Sequence, residues 1–143
     1  MGYFSCVLIV EDNQDIREAL REVVTFEGYR VIEAENGRVA LDLLNSGAIS
    51  EPCLILLDLL MPEMNGWEFM ELRRENDAIA SIPTIIITAM KEGVLPQGAV
   101  KVIQKPIDLA ELIAAIDGFC SQHKMEEDLR ERGHERGKIA SSA

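Results

Sequence analysis

No apolar run in this 143-residue chain is long enough to span a membrane; a spanning helix needs about 20 such residues, and the longest stretches here are strand-sized. The opening residues MGYFSCVLIV have neither a basic leading segment nor a small-residue cleavage pattern, so no secretory leader is expected. Cys6 stands where N-myristoylation asks for Ser or Thr. The three cysteines, Cys6, Cys53 and Cys120, lack metal-ligand spacing, and buried free thiols in a reducing cytoplasm are the expectation. Positive charge is also scarce. Residues 121–143 balance five basic against five acidic side chains, whereas residues 1–120 hold nine against twenty, so the net charge of −11 sits on the body of the chain. Such a body repels nucleic acid and anionic membrane, and suits a cation or a partner with a basic surface.

What is present is a core and a rhythm. Hydrophobic residues make up 48% of the chain, enough for one domain of ordinary size. Short apolar runs at Cys6–Val10, Tyr29–Glu33, Cys53–Leu57, Thr84–Ile87 and Val100–Ile103 read as strands. Between them lie helical patterns. Asn13 caps one that carries Ile16, Ala19, Leu20, Val23 and Val24 on one face and stops near Gly28. A second follows Asn36-Gly37 with Val39, Ala40, Leu43 and Leu44. A third covers Asn65–Glu75, with Phe69 and Leu72 as its inward pair. The last begins at Asp108, with Glu111 completing a capping box, and carries Leu109, Leu112, Ile113, Ile116 and Phe119.

Alternating strands and helices predict parallel pairing with helices on both faces, and strands apolar throughout fit a sheet covered on both sides. The expected fold is α/β: a flavodoxin-like doubly wound sheet of five parallel strands in the order 2-1-3-4-5. Residues 89–99, AMKEGVLPQGA, are too short and too broken by Gly93, Pro96 and Gly98 for a full crossover helix, so the fourth helix is expected to be truncated. Residues 1–120 form the domain. Residues 121–143 form a polar tail, helical at most to 132 and disordered beyond Gly133.

One aspartate raises the functional question. The stretch LILLDLLMPEMNG, residues 54–66, ends a buried-looking strand on Asp58, and a carboxylate is costly to desolvate without a partner. Ligands of a doubly wound sheet bind at the carboxyl ends of strands, where the winding reverses. That point gathers Glu11 and Asp12 after strand one and Asp58 after strand three. Any one of them alone is an ordinary loop acid or helix cap. Together, like charges so close raise one another's pKa or require a cation, and a hard divalent ion, Mg²⁺, resolves the conflict. Thr88 ends strand four and Lys105 follows strand five, so a hydroxyl and an ammonium join the same edge. This set suits a phosphoryl group, with Asp58 as the nucleophile that forms an acyl phosphate.

The stretches VLIVEDN (7–13), LILLDLLMPEMNG (54–66), IPTIIITA (82–89) and GAVKVIQKP (98–106) resemble those of a response-regulator receiver domain, over about residues 5–120. The resemblance implies that Asp58 is the phosphoacceptor. It implies that Asp12 and Asp58 bind Mg²⁺ directly, Glu11 through a water, and Leu60 through its backbone carbonyl. Thr88 and Lys105 would bind the phosphoryl group, and the Lys105–Pro106 bond would be cis. A histidine kinase or phosphotransfer protein would be the donor, an unnamed protein the downstream partner, and the cytoplasm the location. Such a switch acts on itself and is not a turnover enzyme.

Departures from the family pattern bear on output. Val102 stands where receivers usually carry Tyr or Phe, and the Thr88–Lys105 span is several residues short. An atypical output surface follows, through residues 89–99 or the first helix. Leu60 and Met90, two residues after Asp58 and Thr88, stand where the resemblance places the residues that flank the approach of hydrolytic water; both are apolar and cannot orient it, which implies slow self-dephosphorylation. The alternative is a phosphorylation-independent protein-binding module on the same fold. A phosphohydrolase with an aspartyl nucleophile fits poorly, since strand one ends in Glu11-Asp12-Asn13 rather than D-x-D. Trp67 reads as packing, and His123 and His134 lack the helical bundle of a phosphotransfer protein.

Overall fold

Five runs rich in Val, Ile and Leu become five strands in the computed structural model, which describes residues 6–49, 52–91, 93 and 95–120. They are β1 (Cys6–Val10), β2 (Arg30–Ala34), β3 (Pro52–Asp58), β4 (Thr84–Thr88) and β5 (Lys101–Gln104). The sheet order is β2-β1-β3-β4-β5, as expected for a doubly wound fold, and every pairing is parallel. The register aligns the carboxyl ends: Val10 lies opposite Leu57, Asp58 opposite Ile87, and Thr88 opposite Gln104.

Alternate residues of the strands face opposite layers. Val7, Ile9, Leu54, Leu56, Ile85, Ile87 and Ile103 pack against Leu20 and Val24 of helix α1 (Gln14–Phe26) and against Leu112 and Ile116 of the last helix, residues 109–120. Leu8, Val10, Ile55 and Leu57 pack against Ala40, Leu41 and Leu44 of α2 (Gly37–Asn45) and against Phe69 and Met70 of α3 (Gly66–Arg73). Asparagine caps set the helix starts: the side chains of Asn13, Asn36 and Asn65 accept from the N–H groups of Ile16, Val39 and Glu68. Asn13 and Asn36 stand just beyond the ends of β1 and β2, so there the chain turns back into a helix soon after a strand delivers its last residue to the rim.

Several expectations need correction. Leu72 is not an inward residue of α3: it is exposed, while Met70 and Arg73 are buried beside Phe69. The helix is short and its stripe is rotated toward the β4 entry, where the Arg73 guanidinium meets the carbonyls of Ile79 (3.4 Å), Ala80 (2.8 Å) and Ile82 (2.9 Å). Leu109 and Phe119 are exposed at the flanks of the last helix, whose buried line is Leu112, Ile116 and Cys120, spaced four apart. A four-residue helix, α4 (Asp77–Ala80), precedes β4 and was not expected. Cys6 has a free thiol, whereas the fully buried Cys120 is in a disulfide, contrary to the expectation of free thiols; spacing along the chain does not report which cysteines meet in space.

Among the described residues between β4 and β5 none is helical, so the truncation expected there is complete over those positions. The polar tail at 121–143, with His123 and His134, lies outside the described residues. No helix among the described residues is long and apolar enough to cross a membrane.

Candidate functional site

The site is built at the carboxyl rim of the three central strands, with β5 beside them. β1 runs into Glu11 and Asp12, and Glu11 stays in the sheet layer because its N–H donates to Ala34 O at 3.1 Å. β3 delivers Asp58 at its last position. Immediately after it the chain must turn into α3, and Gly66 permits this. Its N–H donates to Leu59 O at 2.8 Å. A Cβ at Gly66 would lie 2.6 Å from Leu59 Cδ2 and 2.8 Å from Leu59 Cα, closer than such atoms ever approach. Only glycine lets α3 begin hard against the exit of β3.

The three expected acids converge. Carboxylate oxygens of Glu11, Asp12 and Asp58 all lie within 4.8 Å of one another. Glu11 (2% exposed) and Asp58 (6% exposed) are buried and Asp12 is exposed. Lys105 joins them: its Nζ donates to Glu11 Oε1 at 2.9 Å and stands 3.6 Å from Asp58 Oδ1. The Lys105–Pro106 peptide is cis, as the sequence resemblance implied. Thr88, fully buried, sits one residue past the register partner of Asp58. Its hydroxyl oxygen accepts from Met90 N at 3.1 Å. Leu60 turns its side chain outward and reaches the site through a backbone hydrogen bond to the Asp58 carboxylate.

The electrostatics follow from this crowding. Burial, then the hydrogen bond and charge of Glu11, push Asp58 up to about 7, against the opposing pull of Lys105 and the Leu60 backbone. Burial works to lower Lys105, but the hydrogen bond to Glu11 and the charges of Asp58, Glu11 and Asp12 outweigh it and hold the ammonium above its ordinary range. One lysine does not neutralise three carboxylates. A hard divalent cation with oxygen ligands would, so the donor set fits Mg²⁺. A cleft of about 410 Å³, lined by Asp12, Glu35, Asn36, Pro62 and Glu63, opens at Asp12.

Two residues that the sequence did not single out hold this site in place. Arg17, in the first turns of α1, donates from its guanidinium to Glu11 O at 2.8 Å and pairs with Glu33 of β2 at 3.3 Å. Its one signal was position, a helical turn past the Asn13 cap, which solvent-facing arginines share. Gln104 donates from Nε2 to Met90 O at 3.3 Å across the β4–β5 rim. Nothing in the sequence distinguishes that amide from an exposed polar residue at a strand end.

Comparison with known proteins bears on the same rim. A family model described as the response regulator receiver domain matches residues 7–117. The chain is 33% identical over 118 residues to the polar-differentiation response regulator DivK of Brucella anthropi, covering 79% of this chain and 94% of that protein. It is 38% identical over 114 residues to the response regulator MprA of Mycolicibacterium vanbaalenii, covering 76% of this chain but 47% of that longer protein. Among solved structures, it is similar to the response regulator TrrA of Thermotoga maritima in complex with Mg²⁺ and BeF, with TM-score 0.71 and 29% identity over 80% of this chain and 98% of that one. The signal receiver domain of a histidine kinase from Syntrophus aciditrophicus gives TM-score 0.72 and 28% identity, covering 82% and 91%.

Proposed function

Because this chain belongs to the response regulator receiver family of two-component signalling, we propose that it is a phosphorylation-dependent switch. It accepts a phosphoryl group on Asp58, with Mg²⁺, from a phosphohistidine of a histidine kinase or phosphotransfer protein, and passes the change to a downstream protein in the cytoplasm. It catalyses only its own phosphorylation and dephosphorylation. The observation that carries this reading is the gathering of Glu11, Asp12 and Asp58 within 4.8 Å, with the Lys105 ammonium already among them.

A carboxylate oxygen of Asp58 attacks phosphorus, the bond from phosphorus to the donor's imidazole nitrogen breaks, and the imidazole leaves with the electron pair. Asp58 must be ionised to attack, and its carboxyl, pushed up to about 7 by burial and Glu11, is poised to hold a proton instead. When bound, Mg²⁺ supplies charge that keeps the carboxylates ionised and neutralises the phosphoryl oxygens. Asp12 and Asp58 would hold it through their carboxylates, Leu60 through its carbonyl, and Glu11 through a water. Lys105 pairs with a phosphoryl oxygen, and the Thr88 hydroxyl donates to another. Leu60 and Met90 flank this site with apolar side chains and leave a hydrolytic water without an orienting group, so the acyl phosphate persists. The output is atypical, since the described residues between β4 and β5 contain no helix and Val102 stands half-buried on β5.

Incubation with acetyl phosphate and Mg²⁺ followed by intact-mass analysis tests the reading. The expected result is a gain of one phosphoryl group that is lost in Asp58→Asn and without metal. No gain, together with no binding of Mg²⁺ or beryllofluoride, replaces this reading with a phosphorylation-independent binding module on the same fold.

A further inference from the structure

Met90 is the residue around which the rim beyond β4 is tied. Its N–H donates to Thr88 Oγ1 at 3.1 Å, and its carbonyl accepts from Gln104 Nε2 at 3.3 Å. The two peptide units flanking Met90 are therefore held by two different side chains. One is the buried hydroxyl of β4, the other an amide on the neighbouring strand. The Met90 side chain reaches Gly93, whose φ is +127°: a Cβ there would meet Met90 Cε at 2.7 Å. Gln104 is the register partner of Thr88, and the next residue, Lys105, donates its N–H to Thr88 O at 2.8 Å. Residues 88–90 are thus fastened to β5 at two carbonyls two residues apart.

A threonine hydroxyl has one proton to donate and lone pairs to accept. With the N–H of the 89–90 peptide occupying an acceptor position on Oγ1, the donor direction is constrained relative to that peptide, and Gln104 holds the next peptide, 90–91, on the other side of the Met90 Cα. We propose that Gln104 is a positioning residue for phosphoryl transfer: acting through Met90, it sets the attitude of the Thr88 hydroxyl. This rests on the reading of Thr88 as a donor to the phosphoryl group. Val102, the other β5 residue on this face, has no polar side-chain atom with which to do the same. Gln104 is exposed, so water competes for its amide and the effect is of the size of one ordinary hydrogen bond.

The test uses the full chain with acetyl phosphate and Mg²⁺, comparing uptake rates in wild type and in Thr88→Val. Gln104→Ala is expected to slow uptake roughly two- to ten-fold in the wild-type background. It is expected to add nothing in Thr88→Val, because the two residues act in series. Gln104→Lys, which keeps a donor, is expected to recover most of the rate. Equal slowing in both backgrounds overturns the proposal. A second arm needs no phosphoryl group: in the resting protein, Thr88→Val is expected to shift the NMR resonances of the Gln104 side-chain amide. An unmoved amide overturns the coupling whatever the uptake result. A wild type that takes up nothing and binds neither Mg²⁺ nor beryllofluoride, with the amide shift present, overturns the phosphoryl reading and leaves the coupling standing.

Discussion

The ammonium of Lys105 is held by Glu11 more closely than by Asp58, at 2.9 Å against 3.6 Å. Glu11 therefore does two opposing things. It draws the Lys105 ammonium toward β1, and its own hydrogen bond and charge raise the Asp58 carboxyl. Glu11→Gln removes both effects. The Asp58 carboxyl is expected to fall below 7 in the metal-free protein while burial, the larger cause, still holds it above its ordinary value, which a carboxylate NMR titration would follow. Mg²⁺ affinity is expected to drop about ten-fold or more, since a residue that supports a metal site is lost; calorimetric titration measures it. An unchanged Asp58 titration would mean that burial alone sets its pKa.

Stability should depend on Asp58 in an unusual direction. Its folded pKa is about 7, raised from an ordinary 3.8. Between those values the folded protein holds a proton that the unfolded chain has released, so stability falls as pH rises through that window and stays low above it. Asp58→Asn removes the cost. In chelator at pH 8 this variant is expected to be more stable than wild type by on the order of 1–3 kcal/mol, with the gain vanishing near pH 4. Urea denaturation at three pH values decides it. Saturating Mg²⁺ is expected to reverse the ranking, because the metal stabilises only the form that binds it.

Arg73 is a buried cation whose hydrogen bonds go to main-chain carbonyls on three segments: α4, the entry to β4, and Gly98 ahead of β5. A lysine has the charge but not the fork. Arg73→Lys is expected to lose about 2–4 kcal/mol, since two or more buried carbonyls are left without donors. The loss should appear as early amide exchange in residues 82–84 and 98–100. A variant as stable as wild type would show that water replaces the guanidinium at no cost.

Leu60 and Met90, two residues after Asp58 and Thr88, carry apolar side chains, one exposed and one half-buried. Replacing them together, Leu60→Asn with Met90→Glu, introduces an amide and a carboxylate able to hold and activate a water. Loss of the phosphoryl group, followed by intact mass after removal of the donor, is expected to accelerate by roughly ten-fold or more. An unchanged lifetime would assign the persistence of the acyl phosphate to some other feature.

Much of this architecture is legible in the sequence because its signals are local. The strands announce themselves by β-branched apolar runs, and each of the five was placed to within a residue. The acids, Thr88 and Lys105 were legible because parallel strands bring their carboxyl ends to one rim. The misreadings came where tertiary context overrides pattern. Leu72 looked inward by helical spacing, but the carbonyls at the entry to β4 called for a donor, and Arg73 took the buried position. Leu109 and Phe119 sit a step off the line through Leu112, Ile116 and Cys120, the one line that is buried among the described residues of this helix. Arg17 and Gln104 bond to main-chain carbonyls, whose positions no side-chain pattern records.

β5, at the edge of the sheet, is only four residues long. Lysines stand at its first position, Lys101, and just past its last, Lys105, and Pro106 then supplies no N–H. An open edge normally invites a further strand, from another chain or another copy. Here the row of main-chain groups is short and Pro106 ends it without a donor, so it is a poor template for one. This edge is thereby guarded against edge-to-edge pairing on the side where no helix lies among the described residues between β4 and β5. Any contact made at this edge falls to side chains, which can be changed one at a time without altering the sheet.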